Sequence, residues 1–430
     1  MVDRRTDTVS VSAQNPEPAT RSIQFSPGVW AVDAIRQRWW LLPWWARVIV
    51  VAVAARLVST VFLLILAAQQ PASFWTGAQP DYFSFANFWD AGWYQRIVTH
   101  GYPTTLPLKP DGTVAESAWA FLPIYPVIVN ALTLTGLPWN TASVIIAVAA
   151  GFAATLVFYR LLIRYLAEDQ ALYGVLLFQV APVSVIMQLG YAESLTFLLI
   201  AASLLLFVTR QWGWLMLVVT VWSFTRPGSL AFALALGLYW FWRFFTRRTD
   251  EFGWSERGWV ALSAFVAGAT GLAWSVVAWI RTGSPSAYVD TELAWRSSYI
   301  GDHDFVPFAP WFQSGVWWGT NQFGWSTTFS IVAVATLVVL WVVVLAQPVL
   351  QRTGREVWLW LGCYSLYLFA VFFPQSSTFR LLAPLFPLVG VLALPRNRWY
   401  RGLLVILFLV LQWWWLTITW VWSRGDWTPP

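Results

Sequence analysis

Long apolar runs alternate with short polar segments along the chain, and they recur from residue 46 almost to the end. Runs such as Ser330–Ala346 and Leu403–Trp422 have the roughly twenty residues that an α-helix needs to cross the hydrocarbon core of a bilayer. The pattern predicts eleven such spans, at residues 46–68, 141–163, 170–189, 192–209, 212–225, 228–245, 258–281, 326–346, 357–373, 380–394 and 402–422. We therefore expect an all-α polytopic membrane protein.

The composition excludes a soluble protein. Of the 430 residues, 58% are hydrophobic and only 11% are charged, whereas roughly a quarter are charged in an ordinary soluble domain. The single cysteine, Cys363, excludes an intrachain disulfide and a thiolate metal cluster. The two histidines, His100 and His303, are too few and too far apart in sequence for a His-rich metal site.

The arginines orient the spans. With the N-terminus inside, eighteen arginines fall on the cytoplasmic side and seven cations outside, as the positive-inside rule expects. The net charge of +6 is thereby explained by topology, and no nucleic-acid partner is expected. Residues 1–43 are polar and rich in arginine, so they are predicted to be a largely disordered cytoplasmic tail rather than a secretory signal peptide. Residues 44–430 are predicted to form the polytopic membrane domain.

Two large loops, residues 69–140 and 282–325, are predicted to lie outside the cytoplasm. Ala118–Gly136 is apolar enough to be a span, but spanning would invert every later loop, and Pro123 and Pro126 suit a short helix along the membrane. Ten acidic residues and few cations fall outside, which suggests chemistry on that side. Nucleotide-sugars are cytoplasmic, so an enzyme there needs a donor already carried across on a lipid. The chain accordingly has no Walker A motif or Rossmann fingerprint.

One segment of the first outer loop predicts a short interfacial helix. An apolar residue recurs there at every fourth position, as Phe85, Trp89, Trp93 and Ile97, and Gly101 can end the helix. Asp90 lies at the edge of this stripe. Such a carboxylate either caps and solubilises an interfacial helix or takes part in chemistry, and the residues alone leave both interpretations open.

Six short motifs lie in order between residues 85 and 385. They are Trp89-Asp90-Ala-Gly-Trp93-Tyr94, His100-Gly101-Tyr102, Phe121-Leu-Pro123-Ile-Tyr125-Pro126, Tyr191-Ala-Glu193-Ser194, Thr225-Arg226-Pro227 and Ser377-Thr378-Phe379-Arg380. Together they resemble the PIG-V family of mannosyltransferases, which depend on polyprenyl- or dolichyl-phosphate-mannose. The chain departs from the family at Phe121-Leu122, where an aromatic pair is usual. The resemblance implies the GT-C glycosyltransferase fold, with about eleven transmembrane helices and a large first extracytoplasmic loop containing juxtamembrane helices.

The resemblance also implies a reaction. It is the inverting transfer of a mannosyl residue from a polyprenyl-phosphate sugar to a glycolipid, glycan or protein acceptor at the non-cytoplasmic face, with no cofactor. One carboxylate must take the proton of the acceptor hydroxyl, help that is worth roughly 10²–10⁴-fold in rate. Asp90 holds the matching position in the family's motif. One lysine against twenty-five arginines is typical of a bacterial, actinobacterial-type relative, which would place the protein in the plasma membrane.

Arg226 and Arg380 are predicted to bind the donor phosphate. Both lie at the outer starts of predicted spans, with Pro227 in a first turn and Thr378 as a cap, and a helix N-terminus beside a guanidinium group can bind an anion. The alternative is that both arginines anchor their helices at the interface. Glu193, at another outer helix start, either caps its own helix or contacts substrate.

The second outer loop supplies weaker candidates. Asp302 and Asp304 have the Asp-x-Asp spacing of a divalent-metal site, although acidic loop surface is the simpler interpretation. The full set of candidate substrate contacts is Trp89, Trp93, Tyr94, Glu193, Arg296 and His303.

Two other classes of function compete with an enzyme. A transporter or flippase of a lipid-linked sugar would need internal repeats and charges buried at the midplane. No repeat is found, and Arg56 is the main charge deep within a span. A non-catalytic membrane subunit would not need the aligned Asp90, Arg226 and Arg380. Arabinose or glucose in place of mannose also stays open.

Overall fold

The computed structural model describes residues 38–301 and 304–422, and the chain divides into two units, Met1–Arg47 and Val48–Pro430. Most of the predicted N-terminal tail, residues 1–37, therefore lies outside the described residues. Within the described ranges the secondary structure is helical, apart from an isolated antiparallel bridge between Leu108 and Val114. The prediction of an all-α protein is confirmed.

The helices of the first part of the chain are α1 (Trp44–Gln69), α2 (Tyr82–Phe85), α3 (Ala91–His100), α4 (Ile124–Thr133), α5 (Trp139–Leu162), α6 (Glu168–Val180), α7 (Glu193–Val208) and α8 (Trp212–Ser223). They continue with α9 (Ser229–Thr246), α10 (Trp254–Thr282), α11 (Ala287–Ile300), α12 (Ala309–Gln322), α13 (Thr327–Leu345), α14 (Arg355–Val371), α15 (Thr378–Leu382), α16 (Val389–Leu392) and α17 (Arg398–Trp415). Turns of 3₁₀-helix lie at Ala118–Ala120, Ser184–Gln188, Pro348–Thr353 and Ala383–Leu388, and a π-helical turn, Leu416–Trp420, extends α17.

Six of these helices are long and apolar enough to cross a membrane: α1, α5, α9, α10, α13, and α17 with its π-helical turn. The chain is therefore a multi-pass membrane protein, and these six coincide with predicted spans. Each of the other five predicted spans is either a helix of 17 residues at most or a segment broken into several pieces. Helix α8, for example, has twelve residues and a length of ~18 Å, against ~30 Å for a hydrocarbon core. The count of eleven crossings stays a prediction.

The predicted span 170–189 is not one helix. Helix α6 ends two residues before Pro182, and a 3₁₀ turn resumes at Ser184, because proline has no N–H and disfavours helix in the residue before it. The break leaves carbonyl groups near a helix end without their regular donors. Arg56, buried in the middle of α1, donates to the carbonyl of Gln179 and, at 2.6 Å, to that of Ser184. A buried guanidinium group thus replaces missing helical bonds.

The predicted span 380–394 is also broken, into α15, a 3₁₀ turn and α16. Pro384 and Pro387 fall inside this segment, and neither can donate a backbone hydrogen bond. Arg380 therefore lies in a five-residue helix instead of at the start of a long one.

The first outer loop contains the expected short helices. Ala118–Gly136 holds only a 3₁₀ turn and the ten-residue α4, so it forms no span-length helix. The prediction of one helix with a single apolar stripe from Phe85 to Ile97 is wrong. The helix α2 ends at Phe85, and helical structure begins again only with α3 at Ala91. Gly101 ends α3 with φ of 73°, as predicted.

Ion pairs and hydrogen bonds between helix ends join residues that the positive-inside pattern places together. Three contacts link predicted cytoplasmic ends: Asp169 with Arg396 at 3.1 Å, Arg210 with Glu256 at 3.3 Å, and Tyr165 with Glu356 at 3.3 Å. The relative sides of these helices agree with the prediction. Which side faces the cytoplasm stays a prediction.

Candidate active site

A cavity of about 550 Å³ opens between the first outer loop and the predicted outer ends of several helices. Much of its wall is apolar, including Leu230, Leu272, Val289, Leu293 and Val371. The charged and phenolic groups in the wall include Asp90, Tyr94, Glu193, Arg226, Glu292, Arg296 and Arg380. A largely apolar cavity with a few converging polar groups is the usual form of a small-molecule site.

Asp90 is presented by a constrained turn before α3. Trp89 has φ of 58°, a left-handed conformation that costs a bulky residue of order 1–3 kcal/mol. Its indole N–H donates to the carbonyl of Trp420 at 3.1 Å, and the backbone N–H of Asp90 donates to the hydroxyl of Tyr191 at 3.0 Å. Asp90 occupies the N-cap position of α3, yet its side chain makes no capping hydrogen bond. The interpretation of Asp90 as a helix cap is therefore wrong.

Four charged side chains form a continuous chain of ion pairs, here called the outer cluster: Asp90, Arg380, Glu193 and Arg226. Asp90 Oδ2 lies 2.5 Å from Arg380 Nη1. Glu193 Oε1 lies 3.4 Å from the same nitrogen and 2.5 Å from Arg226 Nη1. The four side chains are between 3% and 17% exposed. Alternating charges and a net charge of zero compensate for the cost of removing these ions from water.

The outer cluster leaves hydrogen-bonding capacity unused. Oε2 of Glu193 and Nε of Arg380 are buried and have no hydrogen-bond partner. An unsatisfied buried polar group costs about 1–3 kcal/mol, so such atoms in a native structure call for an explanation. An unused guanidinium donor beside a cavity is what an incoming anion needs.

Arg226 lies just before the start of α9, as predicted, but the predicted first-turn position of Pro227 is wrong. Pro227 precedes the N-cap of α9, which is Gly228 with φ of 136°, so it does not lie in the first turn. Glu193 is the first residue of α7, but instead of capping that helix its carboxylate bridges the two arginines of the outer cluster. The guanidinium of Arg226 thus reaches the cavity as part of an ion pair.

The predicted cap beside Arg380 is wrong as well. Ser377 holds the N-cap position of α15, and Thr378 is its first helical residue. The Thr378 hydroxyl donates to the carbonyl of Gln375 at 2.5 Å, which ties the start of the helix back to the preceding loop.

The second outer loop contributes Arg296 to the cavity wall. This side chain is buried, and its Nη2 donates to the carbonyl oxygen of Asp304 at 3.1 Å. Asp302 and His303 lie outside the described residues, so their predicted roles stay predictions. In the described part of the chain, no group of three or more His, Cys, Asp or Glu residues is placed to hold a metal ion.

The three aromatic candidates take different positions. Tyr94 lines the cavity, and burial raises the pKa of its hydroxyl well above the usual range, so the group stays neutral. Trp93 stacks on Phe121 with 5.6 Å between the ring centroids, and it packs edge-to-face with Trp295 with 5.9 Å between the ring centroids. Trp89 packs against the edge of Trp75, with 4.5 Å between the ring centroids, and neither Trp89 nor Trp93 is among the residues that line the cavity.

The sequence analysis did not identify Tyr191 and Glu292 as residues of the site. Tyr191 positions Asp90, and its neighbourhood in the Tyr-Ala-Glu motif was the signal that could have found it. Glu292 opens on the cavity from α11, and the surrounding protein raises the pKa of its carboxyl to about 7. Nothing near residue 292 distinguishes it from other acidic residues of the loop. Only the packing of α11 against α10 and the turn at Ala118–Ala120 brings it here.

The arrangement suits an amphipathic anion. Apolar walls can bury hydrocarbon, and paired guanidinium groups bind phosphate or carboxylate oxygens with defined geometry. A carboxylate at the same point can accept a proton from a bound hydroxyl group.

No protein-family model matches the chain, and no curated protein matches it. Among solved structures, it is similar to the archaeal oligosaccharyltransferase AglB from Archaeoglobus fulgidus, in complex with an inhibitory peptide and a dolichol-phosphate. The identity is 13% and the TM-score 0.44, over 85% of this chain and 55% of that chain. The chain thus spans about half the length of that structure. The resemblance to the PIG-V family stays a prediction.

Proposed function

We propose that this protein is an inverting membrane glycosyltransferase of the GT-C type, which moves a mannosyl residue from a polyprenyl-phosphate donor to a glycolipid, glycan or protein acceptor. The observation that carries the proposal is the outer cluster, in which Asp90 lies directly against one of two guanidinium groups in the wall of an apolar cavity. The resemblance of the same residues to the PIG-V family supplies the donor sugar.

Arg226 and Arg380 hold the phosphodiester of the donor in this proposal. Their present partners are carboxylates, and phosphate oxygens can replace carboxylate oxygens at a guanidinium group because both accept charge-assisted hydrogen bonds. The polyprenyl chain lies along the apolar wall. When the phosphate engages Arg380, the Asp90 carboxylate leaves that ion pair and can accept a hydrogen bond from the acceptor hydroxyl.

The transfer is a single displacement. The acceptor oxygen forms a bond to the anomeric carbon as the bond from that carbon to the phosphate oxygen breaks, which inverts the configuration. The bonding electron pair stays on the phosphate, where the two arginines stabilise it, and the proton of the acceptor hydroxyl goes to Asp90. Because the arginines balance the charge on the leaving phosphate, this displacement requires no cofactor.

The test is an assay of purified protein with a short-chain prenyl-phosphate mannose and an extract of candidate acceptors. Transfer of mannose, or hydrolysis of the donor, supports the enzyme. Movement of the donor across vesicles without chemistry supports a flippase and overturns the proposal. Arabinose and glucose donors test the sugar, and activity that is lost in EDTA would assign a metal to the Asp302 and Asp304 loop.

The active site is proposed to face away from the cytoplasm, at the plasma membrane. Single cysteines replacing the exposed Asp111 and Ser298 in a Cys363→Ser background place one label in each large outer loop. Both labels should react from outside in intact cells. Reaction of only one of them would overturn the eleven-span topology.

A further inference from the structure

Glu292 differs from the other two carboxylates in the cavity wall. Asp90 and Glu193 pair with arginines, whereas Glu292 takes part in no ion pair within the described ranges. Its side chain is exposed, and the space it faces is the cavity. It receives a hydrogen bond from Tyr288, one turn earlier on α11.

The charged and titratable groups around Glu292 come from several elements. Arg226, before α9, favours its ionised form, whereas Asp90, before α3, opposes it. Tyr288 is on the same helix, and burial raises the pKa of its hydroxyl so that it stays neutral. The remaining neighbours are Tyr367 on α14, which interacts electrostatically with Glu292, and Arg296, one turn further along α11. Glu292 keeps accessible surface toward the cavity, but the protein atoms packed around it still desolvate its carboxylate. This desolvation outweighs Arg226 and raises the pKa of Glu292 to about 7.

The contents of the cavity decide how this carboxylate is solvated. An ionised carboxylate without a paired cation depends on water for its stability. A lipid phosphodiester that fills the cavity displaces that water and adds a second negative charge nearby. Both effects favour the neutral carboxyl group. A neutral carboxyl also gains an O–H donor, which an ionised one lacks.

We propose that Glu292 is a proton-linked phosphate-binding residue, protonated when the cavity holds the donor phosphodiester and donating its O–H to a phosphoryl oxygen beside Arg226. The proposal rests on the proposed function and adds a third phosphate contact to it. One proton is taken up from solvent when the donor binds and is released when the site empties, and no covalent bond changes in this step.

A short-chain prenyl-phosphate mannose is the appropriate probe. Its phosphodiester does not titrate between about pH 6 and pH 8.5, so any change of affinity in that window comes from the protein. The protonated form of Glu292 binds, and its pKa rises on binding, so affinity is highest at low pH and falls as the pH rises. We expect the Kd to be about tenfold or more higher at pH 8.5 than at pH 6. Calorimetry in two buffers of different ionisation enthalpy should show proton uptake.

Two variants sharpen the measurement. Glu292→Gln fixes a neutral, donating group at this position, so it should bind within about threefold of wild type at pH 6 and keep that affinity at pH 8.5. Asp290→Asn is the matched control on the same helix. The Asp290 carboxylate accepts a hydrogen bond from the Ser286 hydroxyl, and Asp290 does not line the cavity. This variant should therefore keep the wild-type pH dependence of donor binding.

The outcomes separate this proposal from the proposed function. Donor binding by the wild type that is independent of pH, or that takes up no proton, overturns the role of Glu292 and leaves the transferase standing. A Glu292→Gln variant that keeps the wild-type pH dependence does the same. Failure of the donor to bind at any pH overturns the proposed function, and the ligand named for Glu292 with it.

Discussion

Two buried arginines, each beside a broken helix, have opposite kinds of partner. Arg380, 8% exposed, pairs with the carboxylates of Asp90 and Glu193 and faces a cavity. Arg56, 7% exposed, donates to two backbone carbonyls around the break after α6. A phosphate can replace a carboxylate side chain, but nothing diffusible replaces a carbonyl that the chain itself holds in place. The first arginine is therefore suited to a ligand and the second to the fold.

The surroundings of Arg56 strengthen this contrast. Gln412 on α17 accepts from Ser59 at 2.9 Å and donates to the hydroxyl of Ser184 at 2.8 Å. Ser184 also accepts from Arg56. This network joins α1, α17 and the broken α6 segment through buried polar groups, and a carboxylate takes no part in it.

The largest expected effect is on turnover. Asp90→Asn should lower the transfer rate by at least about 10²-fold and leave donor binding within a few-fold of wild type, because the amide keeps the shape but cannot accept the proton. Rate and donor affinity are measured separately on detergent-purified protein. Asp111→Asn, an exposed carboxylate outside the cavity wall, is the control and should be fully active. If Asp90→Asn keeps more than about a tenth of wild-type turnover, Asp90 is not the base.

The next effect is on stability. Arg56→Leu should lower the free energy of unfolding by about 2–4 kcal/mol, because it leaves two buried carbonyls without donors. Arg56→Lys should recover part of the loss, since the ammonium keeps donors without the forked geometry. Unfolding in detergent measures both. A donor affinity that collapses in the folded fraction of Arg56→Leu would break the contrast between the two arginines.

Donor affinity should respond to the arginines of the outer cluster. Arg226→Ala and Arg380→Ala each remove a charge-assisted contact worth about 1.5–3 kcal/mol, which raises the donor Kd about tenfold to a hundredfold. Lysine at either position should restore only part of the affinity. The matched control is Arg281→Ala. Arg281 is an exposed arginine at the end of α10, and it does not line the cavity. Unchanged affinity in both alanine variants would leave the two residues as membrane anchors.

The smallest effect concerns Glu193. Glu193→Gln removes a buried negative charge that competes with phosphate for both arginines. We expect donor affinity to rise about two- to fivefold and its salt dependence to increase, since the arginines are then less neutralised. Equilibrium binding at two ionic strengths checks this. Weaker binding in this variant would mean that the bridge positions the arginines instead of competing for them.

Much of the fold was predictable because apolar length is a local property. Each of the six membrane-length helices corresponds to an apolar run, and Gly101 ends α3 where a left-handed residue is needed. The failures came where a proline or a tertiary contact overrides apolar length and periodicity. Pro182 breaks a run that is apolar enough to span, and the stripe through Trp89 is broken by a strained turn that Trp420 and Tyr191 hold in place.

The sequence by itself determined the helical class and the helix ends at which charges gather. It also pointed to six residues that line the cavity, which are Asp90, Tyr94, Glu193, Arg226, Arg296 and Arg380. Only the tertiary structure decided which charges are partners. Arg380 lies 290 positions from Asp90, and no pattern in either segment encodes that distance. The same holds for Glu292, whose neighbours determine its protonation. Periodicity reports burial along one element, whereas pairing and solvation depend on how separate elements pack.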